Sequence, residues 1–145
     1  QYTRVKLSVE QMKYGYRTSV LKRGEINAIV LSAMLRLKNS TKEEVSVKID
    51  EFSERRKATQ PPGASMGSMF KNPAGDHAGR LIEAASLKGT RIGNAEISTK
   101  HGNFFINHGE TKAEDVRALI RLTQQTVREK FGVELELEVE LAGEW

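Results

Sequence analysis

Gly132-Val133-Glu134-Leu135-Glu136-Leu137-Glu138-Val139-Glu140-Leu141 is the stretch that decides the fold class. Apolar and acidic residues alternate without a break, and a period of two is the period of a β-strand. Five apolar side chains fall on one face and four carboxylates on the other. Such a strand needs a sheet beside it and a core beneath it. Like charges at this spacing repel, and burial raises the pKa of whichever glutamate is least solvated, giving a general acid or an electrostatic stabiliser. Alternation by itself does not choose among the four.

Working outward, the segment just before this strand reads as a helix. Thr111 with Glu114 forms a capping box, Val116, Leu119, Ile120 and Val127 make an apolar stripe, and Gly132 suits the C-cap. Ala95–Ile97 and Phe104–Ile106 read as strands around Lys100-His101-Gly102-Asn103, and Gly89 and Gly93 punctuate a turn. Ala78, Leu81, Ile82 and Ala85 mark a short helix. Thr41 with Glu44 caps another helix whose apolar face is Val45, Ile49 and Phe52, stopped at Pro61. Ile26 to Leu37 is an apolar, β-branched run that suits a strand buried on both faces, although periodicity leaves a helix open. Val5 and Leu7 open a further short strand. Composition shifts at Asn39-Ser40. The expected fold is α+β: a compact domain over 40–145, with 1–39 belonging to a neighbouring unit.

The chain has 145 residues, 38% apolar and 29% charged, which favours a soluble globule over disorder. There is no cysteine, so disulfides, thiolate catalysis and Cys-based metal sites are excluded. No run reaches the roughly 20 apolar residues of a membrane span, and no signal-peptide core is visible. A cytoplasmic location is expected. The net charge is +4, but it is scattered, with no basic block and no interleaved aromatic ladder. A small anionic ligand accounts for it better than nucleic acid does. His77, His101 and His108 lack metal-ligand spacing, so no metal is expected. No GxSxG elbow, P-loop or GxGxxG after a strand is present.

Two polar segments carry the remaining chemistry. Gly67-Ser68-Met69-Phe70-Lys71-Asn72-Pro73 sets a hydroxyl, an ammonium and an amide behind a glycine. These are donors suited to sugar and phosphate oxygens, although a plain polar turn has the same composition. Tyr14-Gly15-Tyr16-Arg17-Thr18-Ser19 places an arginine in a glycine-containing loop. With Tyr16 it can clamp a carboxylate or stabilise developing negative charge.

Taken together, these segments resemble one family. Tyr14–Ser19 is similar to the "GYR-S" motif of the UDP-N-acetylenolpyruvoylglucosamine reductases, Gly67–Pro73 to their "GS-FKNP" motif, and Leu135–Val139 to their "LE-EV" strand. Ala78–Glu83, Leu87–Gly89 and Ser98–Phe104 follow the same pattern in order. The resemblance implies an FAD- and NADPH-dependent oxidoreductase of bacterial peptidoglycan synthesis that reduces UDP-N-acetylglucosamine enolpyruvate to UDP-N-acetylmuramate. It implies that a hydride goes to the enolpyruvyl double bond and a serine protonates the adjacent carbon, while an arginine and a glutamate stabilise the charge between. By motif these are Ser68, Arg17 and Glu138, and the motif thereby selects one glutamate of the four. Lys71 and Asn72 resemble sugar- and diphosphate-side residues, and Tyr16, Lys57, His101 and Arg56 join them as substrate-side candidates. Thr59 stands where some members have lysine before the Gln60-Pro61 pair, and Lys57 is the expected substitute. The segment between Pro73 and Asn103 carries no long insertion, as in the subclass without the extra substrate-covering loop.

The resemblance also implies that 1–39 is the end of a vanillyl-alcohol-oxidase-like flavin-binding region and 40–145 the substrate-binding domain. The glycine-rich loops that hold FAD in the family have no counterpart here, so the flavin-contacting residues are unassigned. The chain reads as the C-terminal portion of the enzyme, with its own N-terminal FAD-binding domain as partner and no turnover expected alone. A UDP-sugar-binding module without redox chemistry is the alternative reading.

Overall fold

A computed structural model describes residues 3–143. Contacts within the chain separate two units, Gln1–Ser40 and Thr41–Trp145.

The first unit contains one helical turn, α1 (Val9–Met12). Ser8 and Gln11 close a reciprocal capping box, the Ser8 amide donating to Gln11 Oε1 at 2.8 Å. This box takes the chain into a helix where Val5 and Leu7 had suggested a strand, and residues 3–7 have no regular structure. A tight turn, Gly15-Tyr16-Arg17-Thr18, follows, and Val20 is buried beyond it. The run from Ile26 to Leu37 is not a strand. Residues 27–40 have no regular structure and are exposed, with Ile29, Leu35 and Leu37 each about four-fifths accessible. An apolar run becomes a strand only where a neighbour completes its hydrogen bonds, and the described residues supply none.

The second unit opens with α2 (Lys42–Thr59). Thr41 Oγ1 accepts from the Glu44 amide and Glu44 Oε2 from the Thr41 amide, as the sequence predicts. The expected apolar face is not realised as a packing face: Val45, Ile49 and Phe52 are exposed, as is Val47 on another side, and no residue of α2 is buried.

The rest of the unit is a four-stranded antiparallel sheet in the order β1-β4-β3-β2, from β1 (Ala64–Ser68), β2 (Arg91–Ile92), β3 (Ala95–Ile97) and β4 (Phe104–Asn107). The sequence anticipates β3 and β4. It assigns no strand to Ala64–Ser68, which has neither alternation nor β-branched residues. Tertiary pairing to β4 overrides that weak local preference.

The core lies between the sheet and two helices, α3 (Ala78–Ala84) and α4 (Ala113–Phe131). Ala95, Ile97 and Phe105 from the sheet meet Leu81 and Ile82 of α3 and Leu119, Ile120 and Val127 of α4. The start of α4 lies one residue later than the Thr111–Glu114 box predicts. Lys112 is the N-cap, and its amide donates to Asp115 Oδ2 at 3.2 Å. Gly132 ends α4 in the left-handed conformation the C-cap reading requires.

The terminal acidic stretch keeps its two faces without becoming a regular strand. Leu135 is buried, and Val133, Leu137 and Val139 pack on the core. Only Leu137 is bridged, antiparallel, to Phe70.

One close approach holds the layers together. A Cβ on Gly102 would lie 3.0 Å from the Gly79 carbonyl oxygen and 3.1 Å from Ile82 Cγ2. Glycine is what lets the turn before β4 touch α3. Gly102→Ala is expected to destabilise the chain by about 1–3 kcal/mol through overpacking, read as a lower urea midpoint at unchanged m-value.

Candidate functional site

The site is built on residues 67–72, where β1 leaves its regular partner. Gly67 adopts φ +80°, and the β1–β4 register shifts between Ser65 and Ser68. A bulge of this kind re-aims the next side chain, which is Ser68. Ser68 pairs with Phe104 and is half-buried.

Beyond Ser68 the backbone is held from two sides. On one side the Lys71 amide donates to the Glu136 carbonyl at 2.8 Å and the Glu138 amide to the Met69 carbonyl at 2.9 Å. These two bonds flank the Phe70–Leu137 bridge and set Glu138 opposite Met69, one residue from Ser68. On the other side lies Asn103. Its Oδ1 accepts from the Phe70 amide at 2.9 Å, its Nδ2 donates to the Phe70 carbonyl at 2.8 Å, and its own carbonyl accepts from the Met69 amide. Asn103 is only 4% exposed.

The four glutamates separate once the fold is in place. Glu134, Glu136 and Glu140 are exposed, whereas Glu138 is half-buried. Lys71 Nζ pairs with Glu136 Oε2 at 2.8 Å. The hydrogen bond from Lys71, reinforced by its charge, holds the Glu136 carboxyl below the ordinary range. A phosphate approaching Lys71 therefore meets an ammonium already shared with Glu136. Asn72 Oδ1 accepts from the Ala78 amide at 3.1 Å and so satisfies a donor at the start of α3, where the N-cap His77 makes no side-chain bond. Asp76, pulled down to about 2 by the Arg80 guanidinium, accepts from the His77 amide beside it.

His101 packs edge-on against Phe104 and lies under Gly79. Its Nδ1 accepts from the Asn103 amide at 3.1 Å, so the neutral ring carries its proton on Nε2. Lys57, in the last turn of α2, is exposed and paired with Glu54 at 2.7 Å, and its carbonyl accepts from Lys100 Nζ. Arg56, beside it, donates to Gln60.

Tyr16 and Arg17 belong to the first unit. The Gly15 and Thr18 amides and carbonyls bond to one another across the turn, at 3.1 and 3.3 Å. Arg17 fills a position usually left to glycine or asparagine, with φ +56°. Its guanidinium carbon lies 5.5 Å from the centre of the Tyr16 ring, a cation–π contact on an exposed turn.

Ser68, Lys71, Asn72 and Glu138 thus lie on two bridged backbone segments, His101 lies in the turn before β4, and Lys57 on α2 is tied to that turn through Lys100. Asn103 is a site residue that sequence reasoning passed over. Its partners lie 33 residues away, so no local pattern announces it. Among the described residues the sheet is wholly antiparallel, with no strand–glycine turn–helix cradle for a dinucleotide.

The family model described as "UDP-N-acetylenolpyruvoylglucosamine reductase, C-terminal domain" matches residues 58–142. The chain belongs to the UDP-N-acetylenolpyruvoylglucosamine reductase family. It is 47% identical to the reductase of Chloroflexus aurantiacus over 140 residues, covering 94% of this chain and 47% of that protein. It is 49% identical to that of Caldicellulosiruptor bescii over 144 residues, covering 97% and 45%. The crystal structure of the Thermus caldophilus reductase is similar at a TM-score of 0.75 and 44% identity, over 90% of this chain and 46% of that one. The chain spans about half the length of these relatives. Their match also bears out the α+β reading of the domain.

Burial is the main influence holding His101 below the ordinary imidazole range. A lowered pKa means the unfolded chain takes up a proton before the folded one does. The stability due to this group is present above about pH 6.5 and is lost as pH falls through the lower folded value. Urea midpoints between about pH 6.5 and 5 should therefore decline for the parent and flatten for His101→Asn, which keeps an acceptor for the Asn103 amide without titrating.

Proposed function

We propose that this chain is the substrate-binding and protonating part of a reductase that converts UDP-N-acetylglucosamine enolpyruvate to UDP-N-acetylmuramate in bacterial peptidoglycan synthesis. The observation that supports the reading is the bridge between Met69–Lys71 and Glu136–Glu138, which pairs the half-buried Glu138 with Met69, the residue after the half-buried Ser68. A hydroxyl is a weak acid in water and becomes a useful one only where the charge it leaves, or relieves, is stabilised nearby.

Reduction of the enolpyruvyl double bond adds a hydride to one carbon and a proton to its neighbour. FAD, bound mainly by an N-terminal domain and reduced by NADPH, would supply the hydride. Ser68 Oγ holds the proton and delivers it to the adjacent carbon. Arg17 offsets the charge that develops on the substrate carboxylate. Glu138 is the carboxyl partner that, with Arg17, stabilises the developing charge. Lys71 and Asn72 face the sugar and diphosphate, with Tyr16, Lys57 and His101 as further substrate-side contacts. Residues 1–39 are the end of the flavin-binding region and 40–145 the substrate domain.

The test joins this chain to the N-terminal half of the C. bescii relative and follows the two half-reactions by stopped flow. Ser68→Ala should leave flavin reduction by NADPH within about twofold of the parent and slow substrate reduction by about 10²–10⁴-fold. Glu138→Gln should slow the same step, while Glu136→Gln leaves it unchanged. Equal loss in both half-reactions would make Ser68 structural. Binding of the UDP-sugar with no turnover in the parent would replace the enzyme reading with a binding module.

A further inference from the structure

We propose that Asn103 is the positioning residue of this site: its side-chain amide stands in for a missing strand and thereby fixes Glu138 against the Ser68 segment. The inference rests on the reading of Ser68 and Glu138 given above.

In an antiparallel sheet, successive residues direct their N–H and C=O groups to alternate sides. The Met69 carbonyl and the Lys71 amide face Glu136–Glu138, so Phe70 must find partners on the other side, where the Met69 amide already meets the Asn103 carbonyl. There β4 has already given way to the turn at His101–Asn103, and no strand backbone remains opposite. Phe70 is 1% exposed, so water does not serve either. A carboxamide has the donor and acceptor geometry of a peptide group, and Asn103 presents both at 2.8 and 2.9 Å. Loss of either bond leaves a buried backbone group unpaired.

The position of Asn103 is itself over-determined. Its amide donates to His101 Nδ1, its carbonyl takes the Met69 amide, and the adjoining Gly102 is packed on α3. A rigid Asn103 holds Phe70, and Phe70 holds the short bridge that carries Glu138. Asn103 has no assigned contact with substrate, so it acts through the backbone.

Two variants of the 145-residue chain test this by amide hydrogen exchange. Asn103→Ala should reduce protection of the Phe70 and Glu138 amides by at least about tenfold while leaving Leu119 and Ile120 in α4 unchanged. The Glu138 amide decides the matter, because its bond is to the Met69 carbonyl rather than to Asn103. Asn103→Asp has the same shape but, when ionised, accepts without donating. Its protection at Glu138 should be low at pH 8 and recover as the buried carboxyl takes up a proton and can donate to the Phe70 carbonyl. Parent-like protection at Glu138 in both variants would overturn the proposal. So would a pH-independent loss for Asn103→Asp that spreads evenly into α4, since that is a packing defect.

In the joined reductase, Asn103→Asp should slow substrate reduction at pH 8, with flavin reduction by NADPH intact, and regain rate at lower pH relative to the parent. Parent-like substrate reduction alongside lost protection would also overturn it. If the parent itself fails to reduce the substrate, the reductase reading falls, and the exchange data still decide what Asn103 does.

Discussion

Phe70 is the point on which the site depends. Its ring is buried and lies edge-on to Phe105 at 6.2 Å, which ties it to the sheet. Its backbone is gripped by a side-chain amide on one side and flanked by a two-bond bridge on the other. Everything chemical nearby is displayed by that fixed stretch: Ser68 precedes it, Lys71 and Asn72 follow it, and Glu138 is docked against it. Buried anchors carrying exposed functional groups on either side are a direct way to hold polar side chains without spending flexible loops on them.

The same constraint explains the charge arrangement. A run of four glutamates would be a plain solvated face if it stood alone. Docking one step of that run against Met69–Lys71 differentiates it. Glu136 meets Lys71 and stays readily ionised, and Glu138 is drawn into partial burial. Position along one short bridge, rather than any difference in residue type, separates the two carboxylates.

Periodic segments were legible in the sequence. The capped helix after Thr41, the stripe of α4, the Gly132 stop and the strands at Ala95 and Phe104 all depend on local signals, and each is present. Segments whose state depends on a distant neighbour were not legible. Ile26–Leu37 has strand composition but no partner among the described residues, and Ala64–Ser68 has poor strand composition but acquires one. The acidic stretch announced its two faces and not the brevity of its pairing. Within the site, motifs singled out Ser68, Lys71, Asn72 and Glu138. The Asn103 clamp could not be read, because a side chain substituting for a strand leaves no periodic trace. The membrane reading is narrower: among the described residues no helix is long and apolar enough to cross a bilayer.

The most direct test of the central claim is a backbone amide shift map of the chain titrated with UDP-N-acetylglucosamine enolpyruvate. If the Phe70-centred platform is the substrate site, the large shifts fall on Ser68, Lys71, Asn72 and Glu138, with smaller ones at Phe70 and Asn103. Shifts confined to another surface, such as the Arg121–Arg128 face of α4, or no saturable shifts at all, would contradict it.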